Sequence, residues 1–237
     1  KTDKGIAFYA HGNVTWNLTG ANSTPTHQQH AYSEDIVYFL SDRDTGLTVP
    51  ETDMSGAGTG NRITTFQAAL LHEDEREHYG ESGRIYVGED FRATKSRSFK
   101  FKLPGKTDDN VTIETRFAAK TVGGGSAIRL KANGTSLPRL YSDSLSSTNN
   151  NNYGLFGMST RTVPVSGNDL DLNIEYNYNG VLYLACLDYI RVFYTRDMVL
   201  DKELLIRGKF GSDDVLEITG CSAGTQIWDV TKPRRPS

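Results

Sequence analysis

Long apolar runs are missing from this 237-residue chain. The longest, residues 181–187 (VLYLACL), falls far short of the ~20 residues a membrane-spanning helix needs. No such helix is expected. The opening Lys1-Thr2-Asp3-Lys4-Gly5 leads directly into polar sequence, without the apolar core of a secretory leader. The chain therefore reads as either cytosolic or a mature product. Cysteine is scarce: Cys186 and Cys221 are the two present. They could pair, but nothing in the sequence forces it, and two cysteines do not settle the redox compartment. Cys186 lies in the most apolar segment, where a cysteine behaves as a small buried hydrophobe. Neither charge sign dominates. Twenty-six basic and 29 acidic residues are interspersed and leave −3, so there is no basic field to gather nucleic acid or anionic lipid.

Catalytic constellations are missing as well. A nucleophile needs a base within hydrogen-bond reach and a third group to orient that base. Cys186 is expected inside a core strand, where apolar burial makes a thiol inert. Cys221 follows a turn glycine, and all five histidines lie in the first eighty residues. No Gly-x-Ser-x-Gly elbow and no phosphate-cradling Gly-x-x-x-x-Gly-Lys occurs. His27 and His30 are three apart and His72 and His78 six apart, neither pair having the spacing of a zinc protease. They read as surface histidines in polar loops. Asp213-Asp214 and Ser41-Asp42-Arg43-Asp44 lack the alternating oxygens and closing Glu of a calcium loop, so they read as turns. Glu73, Asp74, Glu75 and Glu77 read as a solvated charge run. No metal and no cofactor is expected.

What the sequence has in abundance is Asn, Thr, Ser, Gly and Tyr, a bias that suits strands joined by turn-rich loops. Five Asn-x-Ser/Thr triplets, at Asn13, Asn17, Asn22, Asn110 and Asn133, follow from that bias and read as chance. Alternating segments recur every eight to twelve residues. Strands are expected at residues 6–10, 14–18, 36–40, 98–103, 111–117, 127–131, 170–178 and 181–194, with closing strands at 204–209, 215–219 and 225–230. The last of the main set is long enough to bend across a sandwich. Asn133-Gly134 and Asn179-Gly180 read as hairpin turns. Residues 55–60 and 148–152 read as loops. Between residues 63 and 79 the period changes: Phe66, Ala69, Leu70 and Glu73 fall at helical spacing, and a short helix or an extended strand meeting a solvated loop both fit.

The pattern is that of an all-β, antiparallel sandwich of jelly-roll-like (galactose-binding-like) order, with little helix and with two packed β sub-domains allowed. Residues 1–97 are expected to form an N-terminal β unit, 98–200 the jelly roll, and 201–237 closing strands and a linker. Exposed aromatics on a sandwich face could stack on sugar rings. Tyr176, Tyr178, Tyr183 and Tyr189 are the candidates, although alternation sends about half of any such set into the core. A carbohydrate-binding jelly roll of a cell-surface glycan-using system is thus the alternative function.

Three motifs carry a more specific likeness. They are residues 82–91 (SGRIYVGEDF), residues 187–192 (LDYIRV) followed by Tyr194-Thr195-Arg196-Asp197, and residues 226–233 (QIWDVTKP). Their order and spacing resemble the N-terminal region of PorU-type proteins. These are gingipain-like, family C25 cysteine peptidases that serve as sortases of the type IX secretion system in Bacteroidetes. The resemblance covers about residues 79–236. It implies a non-catalytic module at the cell envelope, on the outer-membrane surface or in the periplasm. It would support or dock a C-terminal peptidase domain of the same parent, or contact secretion-system proteins or cargo. The family's catalytic Cys and His would lie beyond residue 237, so no residue here carries over as catalytic. Trp228 and Val230, on the segment leading toward the peptidase domain, together with Tyr189 and Arg191 of LDYIRV, are the candidate binding or domain-docking residues. In LDYIRV, Leu187, Tyr189 and Val192 are expected to alternate with Asp188 and Arg191, as in an ordinary core strand with polar outer positions. Gly83 and Gly88 suggest a turn and close backbone packing.

Overall fold

The computed structural model describes residues 8–18, 24–30, 32–39, 50, 59–79, 85–142 and 155–231. Every regular element among them is a strand. The chain divides into two compact units, and each is described by itself. One comprises Lys1–Thr64, Val199–Leu204 and Gly208–Ser237; the other comprises Thr65–Met198 and Leu205–Arg207.

The first unit holds β1 (Val14–Asn17) antiparallel to β2 (Thr26–Gln29), and β3 (Arg62–Ile63) parallel to β15 (Val215–Leu216). Less of it is strand than the sequence pattern predicts. Residues 8–10, 36–39 and 225–230 are irregular, as is the predicted strand at 204–209, whose Leu205–Arg207 belong to the other unit, and β15 is only two residues long. Apolar alternation is not enough for a strand: backbone N–H and C=O groups need a neighbouring ladder, and no described strand pairs with these segments. Ile6, Ala7, Leu40 and the 148–152 loop lie outside the described residues.

The second unit is a jelly-roll-like β-sandwich. Its strands are β4 (Thr65–Glu73), β5 (Glu77–His78), β6 (Tyr86–Val87), β7 (Ser96–Lys102), β8 (Lys106–Val122), β9 (Ser126–Ala132), β10 (Thr135–Ser136), β11 (Leu140–Ser142), β12 (Leu155–Pro164), β13 (Asp169–Tyr178) and β14 (Val181–Asp197). One sheet runs β10-β9-β13-β7, with β11 also on β9; the facing sheet runs β12-β8-β14-β4. The main strands alternate between sheets: β7 to β8, β8 to β9, β12 to β13 and β13 to β14 all cross over, which is the winding of a jelly roll.

The Asn133-Gly134 turn is the expected hairpin. Both residues take positive φ, 46° and 82°, and β9 pairs directly with β10. The Asn133 side chain also ties this turn to β13, its carbonyl accepting from Asp171 N–H at 2.7 Å and its amide donating to Asp169 O at 3.0 Å. Asn179-Gly180 is not a hairpin, which corrects the sequence reading. β13 pairs with β7 and β9 while β14 pairs with β4 and β8, so this turn carries the chain from one sheet to the other. Gly180 is required there: its φ is 103°, and a Cβ would meet the Val122 carbonyl oxygen at 2.5 Å.

The core between the sheets follows from alternation. β13 turns Leu170, Leu172, Ile174 and Tyr176 inward, each no more than 1 % exposed. β8 answers with Ile113 and Phe117, and β14 with Leu187, Ile190 and Val192. The Phe117 ring lies between Phe91, edge-on at 5.2 Å, and Tyr176, stacked at 5.6 Å. The stretch left open between helix and strand resolves as β4, an edge strand antiparallel to β14.

Candidate functional site

The outer faces of the two sheets differ in kind. On the β10-β9-β13-β7 sheet the outward positions are polar and open: Lys100, Lys102, Lys131, Asp169 and Asp171 are exposed, and Asn173 donates to Ser96 Oγ and Ser98 Oγ. On the other sheet, β14 is buried on both faces from residue 185 to residue 194. Polar side chains are closed into that second outer face, and they include two of the residues singled out by sequence.

Cross-strand register builds the cluster. Arg191 on β14 lies directly opposite Glu114 on β8, and the two side chains, each 7 % exposed, form an ion pair. Tyr189 Oη donates to Glu114 Oε1 at 3.0 Å and accepts from Arg191 Nη2 at 2.9 Å, closing a three-membered network. Burial, with smaller opposing effects from Arg191 and Glu114, pushes the Tyr189 phenol up to about 12. The simple alternation expected for LDYIRV is broken by a register shift between Leu187 and Tyr189. That irregularity puts Tyr189 and Arg191 on the outer face together while Leu187, Ile190 and Val192 stay inside. The polar positions are not solvated either: Asp188 and Arg191 are both 6 % exposed.

Beside this network Asp188 Oδ2 pairs with Arg116 Nη1 at 2.9 Å, and the Arg116 guanidinium lies over the Phe156 ring at 4.1 Å. Met158, opposite Arg116 in the register, is 59 % exposed. The result is one exposed apolar side chain, Met158, beside a charged but internally matched cluster.

The remaining sequence candidates separate. Trp228 and Val230 belong to the other compact unit, in an irregular segment, and both are half-buried. Of the four tyrosines, Tyr176 and Tyr189 are buried, while Tyr178 and Tyr183 are 37 % and 52 % exposed on different sheets. Cys186 is fully buried and its thiol is pushed up to about 11, chiefly by burial and then by Asp90 and Glu77. Cys221 is exposed, and both thiols are free. Gly88 packs as tightly as expected: a Cβ there would come 2.6 Å from the Asp74 carbonyl oxygen. Gly83 lies outside the described residues.

Two features escaped the sequence reading. His72 is not in a loop but on β4, where its Nε2 meets Glu89 Oε1 at 2.7 Å and its ring packs on Phe99 at 4.8 Å. Burial would raise the Glu89 carboxyl, but the His72 hydrogen bond, a backbone hydrogen bond and nearby charge hold it below its ordinary value. The charge run is also not uniformly solvated. Glu75 is half-buried, and its carboxyl is pushed up to about 7 by burial and then by Glu73, Asp188 and Asp74.

The second unit is thus a two-sheet, jelly-roll-like β-sandwich with one polar face and one packed face. No family model matches the chain, and no curated protein matches it. Among solved structures it is similar to dimeric latent PorU from Porphyromonas gingivalis, at 28 % identity and a TM-score of 0.66 over 82 % of this chain. This chain spans 19 % of that PorU chain. It is also similar to a family 35 carbohydrate-binding module from Clostridium thermocellum, at 13 % identity, covering 54 % of this chain and 95 % of the module with a TM-score of 0.35.

Proposed function

We propose that this chain is a non-catalytic β-sandwich module of a PorU-like surface peptidase acting in type IX secretion. Its role is to support or dock the peptidase domain of its parent, or that domain's cargo. The observation that carries the reading is the 28 % identity to PorU over 82 % of the chain at a TM-score of 0.66. The module works at the cell envelope, as the PorU likeness implies, and the chemistry of cleavage belongs to the parent's peptidase domain. Its docking face is the outer face of β12-β8-β14-β4, where Met158 offers exposed apolar surface beside the matched Glu114–Arg191–Tyr189 and Arg116–Asp188 groups. Trp228 and Val230 mark the segment that leads on toward the peptidase domain.

The test is to produce residues 1–237 and the peptidase domain of the same parent as separate chains and to measure their association by calorimetry. Binding that weakens on Met158→Asp supports the reading. Loss of the module from the parent should then abolish cargo processing. Absence of association, together with full cargo processing by a parent that lacks the module, refutes it. Peptide hydrolysis by residues 1–237 alone would refute the non-catalytic assignment.

A further inference from the structure

We propose that the β5–β6 pair is a pH-gated cover over the Cys186 end of the four-stranded sheet, seated while Glu75 carries a proton and loosened when Glu75 ionises. The cover is visible in the packing. Tyr79, just after β5, and Val87 on β6 are 7 % and 1 % exposed, and they close over Ala118 and Cys186, both fully buried. Phe156 and Leu184 complete this small cluster, with Tyr79 and Phe156 ring centroids 4.5 Å apart. Arg76 N–H to Val87 O at 3.1 Å and Tyr79 N–H to Ile85 O at 2.8 Å close the pair on itself. Among the described residues the pair is anchored to β14 only at its β6 end, by Gly88 N–H to Leu187 O at 2.7 Å, Leu187 N–H to Glu89 O at 3.0 Å and Phe91 N–H to Ala185 O at 2.7 Å. A two-stranded element with so small an apolar footprint opens more readily than the sheet beneath it.

Glu75 sits at the stem of this cover, on the connector between β4 and β5. Its Oε2 is buried and has no hydrogen-bond partner among the described residues. The groups around it are acids from each neighbouring element: Glu73 from β4, Asp74 from the connector, and Asp188 from β14. The neighbouring cations are engaged elsewhere, Arg76 with Asp74 and Arg116 with Asp188. An ionised Glu75 in the seated cover therefore meets three carboxylates with reduced access to water, whereas a protonated one does not. That geometry agrees with a carboxyl pushed up to about 7. The sign follows by linkage: the seated state binds a proton that the open state releases, so opening becomes easier as pH rises from about 4.5 toward 7, and the penalty is complete above it.

Cys186 is a built-in reporter, because its thiol reacts only when the cover lifts. In a Cys221→Ser background, the rate of labelling of Cys186 by a neutral disulfide reagent is measured from pH 5 to pH 8.5, with and without Glu75→Gln. The ratio of the two rates at each pH cancels the intrinsic ionisation of the thiol. The full difference between an ordinary Glu at 4.5 and one at about 7 corresponds to roughly 300-fold in the opening constant. Water at the half-exposed stem screens part of this, so a ratio of about threefold at pH 5 rising to at least about tenfold at pH 8 is expected. A ratio that stays at 1 across the range overturns the proposal. If Glu75→Gln does not fold, hydrogen-exchange protection in the unsubstituted protein decides. Protection at the Arg76 and Gly88 amides that falls between pH 5 and pH 8 relative to β13 amides supports the cover, and constant relative protection overturns it.

Discussion

Replacing Arg191 by methionine removes one half of an ion pair that neither water nor a second cation can easily replace. Glu114 is 7 % exposed at its side chain and lies opposite Arg191 in the β8–β14 ladder. After the substitution its carboxylate keeps the Tyr189 hydroxyl at 3.0 Å but loses its counter-charge. Breaking a buried pair on one side costs about 3–5 kcal/mol, because the surviving charge keeps its desolvation penalty without its compensation. At roughly 2–4 °C per kcal/mol for a unit of this size, the melting temperature should fall by about 6–20 °C. Replacing both partners, Glu114→Leu with Arg191→Met, should recover most of that loss, since a matched apolar pair leaves no orphaned charge. The assay is urea and thermal unfolding followed by far-ultraviolet circular dichroism. Tryptophan fluorescence is the wrong probe here, because Trp16 and Trp228 both belong to the other compact unit. A single substitution costing less than about 1 kcal/mol, or a double no more stable than the single, refutes the reasoning: Glu114 would then be reaching water, and the cluster would not be closed.

Three further outcomes follow from local geometry. His72→Ala should cost about 1–3 kcal/mol at pH 7, where Glu89 is left charged and buried, and less at pH 4. In the unsubstituted protein the lowered Glu89 carboxyl contributes stability above its unfolded pKa that is lost as pH falls through the folded one, which pH-dependent urea midpoints would resolve. Gly134→Ala meets open space and should cost only the left-handed strain, about 1–2 kcal/mol, whereas Gly180→Ala should cost more because its Cβ meets Val122 O at 2.5 Å and Gly124 N at 2.8 Å. Equal costs in denaturant titration would contradict the crossover geometry. Titration with a thiol reagent at neutral pH should give one fast equivalent, from exposed Cys221, and a second, slower one from Cys186, limited by opening of its cover.

The sandwich was legible where one face is buried and one is wet. β7 reads Ser-Arg-Ser-Phe-Lys-Phe-Lys, and β13 alternates inward and outward along its length, so period two shows in the sequence. β4 did not show it because Phe66 and Ala68 are buried while residues 69–73 are half-covered on both faces, which erases the contrast. Asn179-Gly180 announces a turn through its tolerance of positive φ, but a dipeptide carries nothing about whether the strands it joins will pair or part. The polar cluster was half legible. Tyr189 and Arg191 stood out within LDYIRV, but Glu114 lies 77 positions from Arg191, and only the β8–β14 register and the irregularity at Asp188 bring them together. Glu75 was lost in a charge run whose members look alike in sequence, and what sets it apart is a buried Oε2 without a hydrogen-bond partner among the described residues.

The contrast between the two outer faces makes the docking assignment sharp enough to fail. On the β10-β9-β13-β7 sheet, Lys100 and Asp171 are opposite one another and exposed, and Arg129 and Glu175 are separated by 3.9 Å. Exposed pairs of this kind contribute about 0–1 kcal/mol, so exchanging Lys100 and Asp171 should leave stability within about 0.5 kcal/mol and leave association unchanged. Met158, on the opposite sheet, is more than half exposed, so Met158→Asp should also be nearly silent in unfolding. Its effect should appear only when a partner covers it, since a carboxylate buried against apolar surface and near the occupied Arg116 has no free counter-charge. A loss of association of at least about tenfold for Met158→Asp, with none for the Lys100–Asp171 exchange, places docking on the packed sheet. The reverse pattern would move it to the polar sheet, and the closed Glu114–Arg191–Tyr189 network would then be a device of stability alone.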